Sequence, residues 1–484
     1  MSKVEGYIPK ADRKKVLLLC DDIRMHSGIA TMAREFVLNT AGRYKWFNLG
    51  AALKHPELGK VFDISNDINK RLGIDDAEVK VMPSNGYGDA AKVRQLIDLE
   101  KPDAIFIFTD PRYWIWLFDI EREIRSKIPI FWLNIWDDYP APKYNEDYYD
   151  SVDLLMGISK QTVNINKIVL GEKADSKIIE YVPHGIDENI FFPVRAKNDD
   201  KLTENLNQFR KNMFGEKDIE FVVFFNSRNI QRKHPHDTIF AYQMFCDMIG
   251  KEKAKKCALV MHTEISSNHG TDLRALKEAL TDPEYCNIYF STAKITPEQM
   301  NFMYNIADVN ILISSNEGWG LSLTEAMMAG TMIIPNVTGG MQDQARFTDE
   351  DGNWINFDAD FPSNHRGTYK DHGEWAKPVF PSNICLQGSP LTPYIFDDKV
   401  QPEDAAASIK YVYELGKEER DRRGISAREW VTSEESQMSS KNMSKNIARC
   451  MDLGFDNFKP RPNYEVIKID ELPSPKVSHK LTGY

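Results

Sequence analysis

Two glutamates bracket seven residues in the run EGWGLSLTEAMMAG, residues 317–330. They are Glu317 and Glu325. Gly318 and Gly320 lie between them, followed by a helical pattern that starts near Leu321. Glycine lets a backbone come close to a ligand. A helix N-terminus offers unpaired N–H groups and a partial positive charge. The natural guest is an anion, a phosphate above all. Glu325, one turn into the helix, can accept hydrogen bonds from ribose hydroxyls. Glu317, on the loop, can accept them from sugar hydroxyls. The competing reading is structural: Glu325 pairs with a local cation and the glycines only make a turn.

A second group follows the apolar run FVVFF at residues 221–225, in NSRNIQRKHPHD. Arg228 and Lys233 would stand at the carboxyl end of a sheet strand. There, two cations can neutralise a pyrophosphate and the charge of a leaving nucleotide; solvated loop charges are the plainer alternative. His234 and His236 flank Pro235 and read as loop residues, not metal ligands. In the first half of the chain, Gly28 sits in a polar turn with His26 and Ser27. Asp110 and Arg112 follow the run AIFIF, and the pair Asp137 and Asp138 follows IPIFWL.

These groups need a frame, and the apolar pattern supplies it. Short buried-strand runs at residues 16–20, 104–108, 128–133 and 154–158 alternate with helical patterns. That alternation predicts a doubly wound α/β domain with functional loops at the carboxyl ends of its strands. A polar stretch at residues 195–217 reads as a linker and lead-in. Strands at 221–225, 258–262, 287–290, 309–313 and 331–335, with helices between them, predict a second α/β sheet. Residues 346–393, rich in Asp, Asn, Pro, Gly and aromatics, show no helix or long strand and read as an irregular insertion. Helical patterning resumes from 402 to about 453, and residues 455–484 read as an extended arm.

The run at 317–330 resembles the E-x7-E signature of the retaining GT-B glycosyltransferases, family 4 in particular. SRNIQRK is similar to that family's G-R followed by K-G. IEYVPHGIDENIFFP, residues 179–193, resembles its V-I-P-N-G-V-D-x-x-x-F-x-P segment, and TGGMQDQ, residues 338–344, its G-G-x-x-E turn. The matches occur in the family's order. The resemblance implies an α/β GT-B fold: two Rossmann-like domains facing each other across a cleft. Residues 1–193 would form the acceptor-side domain and 194–440 the nucleotide-sugar domain. Residues 441–484 would supply a helix crossing back to the first domain and the arm. It also implies transfer of a sugar, with retention, from a nucleotide diphosphate sugar to a hydroxyl. Glu317, Arg228 and Lys233 would be catalytic. Gly28, Gly318, Trp319, Gly320, Leu321 and Glu325 would bind the donor. Asp110, Arg112, Asp137 and Asp138 are the acceptor-side candidates. No metal or other cofactor is expected, since Arg, Lys and a helix N-terminus take its place. Three features depart from the family: Trp136 precedes Asp137 where a His is frequent, Ser227 and His234 replace glycines around the cationic loop, and the stretch 346–393 is longer than is usual there.

Composition narrows the partners. With 61 Lys and Arg against 72 Asp and Glu, a net charge of −11 argues against a dedicated nucleic-acid binder. The acceptor is expected to be a saccharide, a lipid-linked sugar or a small metabolite. A hydroxymethylated base in DNA is the alternative, kept open by Arg112, Tyr113, Trp114 and Trp116. A non-catalytic scaffold of the same fold is the other. The six cysteines are scattered and form no C-x-x-C pair, as expected of reduced cytoplasmic thiols. The N-terminus shows no secretory pattern, and no apolar stretch is long enough to span a membrane.

Overall fold

The computed structural model describes residues 6–52, 55–358 and 369–462. The first sheet has eight strands: β1 (Lys15–Asp21), β2 (Lys45–Ala51), β3 (Phe62–Asp63), β4 (Val79–Ser84), β5 (Ala104–Phe108), β6 (Ile130–Asn134), β7 (Leu154–Gly157) and β8 (Ile178–Tyr181). Their spatial order is β3-β4-β2-β1-β5-β6-β7-β8. All pairs are parallel except β3 with β4. Strands covered on both faces must be continuously apolar, and residues 16–20 and 104–108 are fully buried.

The second sheet is wholly parallel, with strands β9 (Phe221–Asn226), β10 (Cys257–His262), β11 (Asn287–Ser291), β12 (Val309–Leu312) and β13 (Met332–Pro335). They lie in the order β11-β10-β9-β12-β13. In both sheets the order reverses beside the first strand, so β1 and β9 each end at a switch point.

Several elements differ from the sequence expectation. β2 carries Asn48 and Gly50 inside its apolar run, which hid it. The Asn48 amide is satisfied internally, accepting from Ile23 N–H (3.2 Å) and donating to Leu18 C=O (3.3 Å). β8, at the end of the sheet, is only partly buried and lacks a strong apolar signal. Residues 195–217 are not a plain linker, because a helix spans Asp200–Phe214. Asp199 caps it by accepting from Leu202 N–H. Its apolar stripe of Leu202, Leu206, Phe209 and Met213 is narrow within a polar segment.

The region 346–393 is not wholly irregular either. It leads into an antiparallel hairpin, β14 (Asn383–Ser389) and β15 (Thr392–Lys399). Few of its side chains are buried, so no apolar run announces it. Residues 359–368 of that region, and 463–484 of the expected arm, lie outside the described residues.

The last helix, Ser440–Asn457, packs on the first domain rather than the second. Asp452 accepts from Tyr44 OH (2.7 Å) and pairs with Arg43, and Phe455 meets Phe131 edge-on at 5.0 Å. Gly454 leaves room for the Phe131 ring, which an added Cβ would meet at 2.6 Å. Residues 455–457 therefore belong to this helix and not to an arm.

Candidate active site

The carboxyl ends of both sheets face a single cleft of about 1160 Å³. From the first domain come the loops after β1, β5 and β6, carrying Ser27 and Gly28, Asp110 and Arg112, and Trp136 to Asp138. From the second come the loops after β9 and β12, carrying Arg228 to His236 and Asn316 to Leu321. The hairpin adds a third wall, with Gln387, Thr392 and Asp397. This convergence follows from two parallel sheets turned edge to edge.

The loop after β12 is built around glycine. Gly320, at φ 85°, is the N-cap of the Leu321–Met328 helix, a left-handed backbone that few other residues adopt cheaply. The helix therefore starts with its N–H groups toward the cleft. Gly340 N–H donates to Glu317 C=O (3.0 Å), and a side chain at 340 would collide with Gly318 C=O. The TGGMQDQ turn thus clamps the Glu317–Gly318 backbone from behind. The two domains touch here: a Cβ on Gly28 would lie 3.3 Å from Leu321 Cδ1, and one on Gly318 would lie 3.1 Å from Ile135 C=O.

Glu317 is nearly enclosed, with 14% of its side chain exposed, and forms an ion pair with Lys233, itself 11% exposed. Lys233 was expected to face a diphosphate; here its ammonium is engaged by Glu317. Arg232, not singled out from the sequence, is more open and stands 3.5 Å from Glu317 Oε2 while donating to Asn316 C=O (2.8 Å). Arg228 lines the cleft. His234 holds a left-handed backbone at φ 49°, so this loop keeps a glycine-type geometry without the glycine.

Glu325 sits one turn into its helix, and Tyr304 OH donates to it at 2.6 Å. Burial pushes the Glu325 carboxyl up to about 7, with the Tyr304 hydrogen bond working against it. Trp319 is buried, its indole N–H donating to Thr324 Oγ1 (3.0 Å). His184, from the VPHGID segment, also lines the cleft. Its ring lies edge-on to Trp319 and Phe108, and burial drives it down to about 3, so it is neutral. Its Nδ1 has no hydrogen-bond partner. Only its place in that segment pointed to it in the sequence.

Opposite these groups is a carboxylate wall. Asp110 is held by Arg112 at 2.8 Å. Burial raises Asp137 to about 6, with Arg232 and Lys233 opposing. Asp138 is pushed well above the usual range by burial and by Asp137. Of the aromatics near Arg112, Trp114 is fully buried and belongs to the core, while Tyr113 is exposed.

Among the described residues one group could hold a metal: His234, His236 and Asp237, whose ligand atoms lie within 4.8 Å of one another. His234 Nδ1 is already 2.7 Å from Asp237 Oδ2. The group sits at the start of the Pro235–Ile249 helix, whose partial positive charge opposes a cation. No described helix is long and apolar enough to cross a membrane.

Comparison with known proteins agrees with this fold. Residues 207–360 match the family model described as glycosyl transferases group 1. A D-inositol 3-phosphate glycosyltransferase of Corynebacterium jeikeium (strain K411) is 27% identical over 192 residues, which is 40% of this chain and 43% of that protein, less than half of either. Among solved structures, a glycosyltransferase from Rickettsia africae ESF-5 superposes with a TM-score of 0.61 at 15% identity, covering 92% of this chain and 100% of that one. Sucrose-phosphate synthase from Thermosynechococcus elongatus gives 0.60 at 14%, over 92% and 100%. Anabaena HepE, in complex with UDP and glucose, gives 0.59 at 12%, over 91% and 100%. The chain has the GT-B fold, two Rossmann-like domains about one cleft, and its second domain is similar to the glycosyl transferases of group 1.

Proposed function

We propose that the protein transfers a sugar from a nucleotide diphosphate sugar to an acceptor hydroxyl, with retention of anomeric configuration. One observation carries this reading. A glycine-built helix N-terminus, an enclosed carboxylate and two arginines that line the cleft meet at the carboxyl ends of two sheets.

The diphosphate would lie against the N–H groups from Gly318 to Leu321, with Arg228 and Arg232 on one side and Gly28 on the other. Glu325 would take the ribose hydroxyls, oriented by Tyr304. Glu317 would face the transferred sugar, held in place by Lys233. Negative charge grows on the leaving diphosphate as the glycosidic bond breaks, and fixed guanidinium groups stabilise it without a metal. The acceptor would enter between Asp110, Asp137 and the hairpin. A carboxylate there can accept the hydroxyl proton or hydrogen-bond a polyol, and it repels a phosphodiester. We therefore favour a neutral saccharide or polyol end on the acceptor over modified DNA.

The test is a panel of nucleotide sugars, beginning with UDP-glucose, the molecule bound in one Anabaena HepE complex. Thermal shift identifies the nucleotide, since a ligand that binds only the native state raises stability. Release of nucleoside diphosphate with an acceptor panel reads turnover, and proton NMR of the product reads anomeric configuration. Donor binding without release across the panel would point to a scaffold. An inverted product would refute retention.

A further inference from the structure

A second cavity, of about 850 Å³, opens at the other edge of the second sheet. Phe221, at the start of β9, and Asp308 and Thr331, just before β12 and β13, line it. It therefore lies at the amino ends of the strands, away from the cleft. Pro193 and Arg195, from the connection between the domains, complete it.

Its charges can be matched in pairs. Arg420 and Asp308 are bonded at 3.0 Å, both almost wholly buried. Lys417 pairs with Asp421 at 2.8 Å, and Glu220 pairs with Lys256 at 2.5 Å. Arg195 and Arg210 remain. Arg210 is half-buried and donates to two backbone carbonyls, of Ile306 and Ile219. Arg195 is exposed, and among the described residues neither arginine has a carboxylate partner. Burial holds Arg210 below its ordinary value. Asp308 opposes that effect, and the Arg195 charge adds to it. Arg195 and Arg210 repel each other across the cavity, Asp308 offsets part of that repulsion at Arg210, and a bound anion would remove the rest. Guanidinium is also the side chain that grips phosphate with two parallel hydrogen bonds.

We propose that this cavity is a second ligand site, separate from the cleft, that binds the phosphate group of a small metabolite through Arg195 and Arg210. The volume accommodates a body attached to the phosphate. The site also touches the catalytic half of the molecule through one helix, Pro297–Ile306. Asn305 Oδ1 accepts from Val194 N–H (2.7 Å) and Asn301 Oδ1 from Phe192 N–H (3.1 Å), tying that helix to the interdomain connection. The same helix carries Tyr304, which donates to Glu325.

The proposal does not rest on the transfer reaction. It is tested by isothermal titration of inorganic phosphate into an Arg228→Gln, Arg232→Gln background, which removes the two arginines that line the cleft. One phosphate is expected to bind. Adding Arg195→Gln should weaken that binding by about tenfold or more. Among the described residues Arg195 makes no hydrogen bond or ion pair, so its loss should not disturb the fold. Arg210→Gln should act likewise; if that variant unfolds, Arg195→Gln decides alone. No binding at millimolar phosphate in the background, or an affinity unchanged by Arg195→Gln, would overturn the site.

Discussion

Lys233 and Glu317 depend on each other, and this changes what a substitution should do. With Lys233 gone, an enclosed carboxylate loses its main partner, and breaking such a pair from one side costs about 3–5 kcal/mol. Lys233→Met should therefore lower stability to urea as well as turnover. Glu317→Gln in the same chain should restore part of the stability and none of the activity. A Lys233→Met protein as stable as the parent would show that the pair holds nothing. Arg228, by contrast, faces open cleft. Arg228→Ala should leave stability alone and reduce kcat by the ~2.7–4 kcal/mol typical of a lost preorganised charge partner.

Glu325 gives a pH signature. Its native pKa is raised from 4.5 to about 7 by burial. The native state therefore holds that proton more tightly than the unfolded chain, and stability falls as pH rises from 4.5 toward 7. Glu325→Gln should remove this share, stabilising the ligand-free protein by on the order of 3 kcal/mol at about pH 8 and little at about pH 4. Urea titrations at the two pH values measure it. Donor affinity should fall in the same variant, with a smaller effect on the chemical step, because ribose contacts do not change during transfer. The spacing of Glu317 and Glu325 was legible in the sequence, and so were the glycines. Lys233's engagement with Glu317, Arg232's nearness to both and the edge-on seat of His184 were not. Each depends on how one loop folds against another, which no local spacing encodes.

At the scale of elements, buried parallel strands announced themselves because both faces must be apolar. The exceptions are instructive. Asn48 interrupts β2 and is paid for by internal hydrogen bonds, while β8 and the hairpin lie at edges where burial is partial. The hairpin has consequences for specificity. Phe396 N–H donates to Tyr139 C=O (2.7 Å) in the first domain and Asp398 N–H to Ser315 C=O (2.9 Å) in the second, so the hairpin bridges both. Its residues Gln387 and Thr392 line the end of the cleft where we place the acceptor. Trimming residues 387–392 to a tight turn should raise the acceptor KM and leave the donor Kd unchanged. Equal weakening of both would mean that the hairpin supports the whole cleft rather than selecting at one end.

At the scale of the whole molecule, the structure is a closed form. Lys160 N–H donates to Asp343 Oδ2 (2.9 Å), Tyr181 OH to the same oxygen (3.1 Å), and Gln342 Nε2 to Gln161 Oε1 (2.6 Å), all across the domain boundary. Asp343→Ala removes two of these ties. It should enlarge the radius of gyration of the nucleotide-free protein in X-ray scattering, and added nucleoside diphosphate should reverse part of that change. Identical scattering for parent and variant, with and without nucleotide, would show a cleft held shut by other contacts. Two-domain architecture was readable from the two strand–helix series. The contacts that hold the cleft closed were not, because they join side chains more than 150 residues apart in sequence.

The helix Ser440–Asn457 buries Met443, Ile447, Cys450 and Met451, and its Phe455 packs on Tyr44 and Phe131 of the first domain. During synthesis the ribosome releases residues 15–181 first, and domains generally fold as they emerge. Here that order should be broken, because residues 440–457 cover an apolar face of the first domain and are made last. Until then the nascent chain carries a sticky surface past the entire second domain, and a chaperone is the natural occupant of that interval. A chain stopped at residue 439 should fold its second sheet and aggregate through its first.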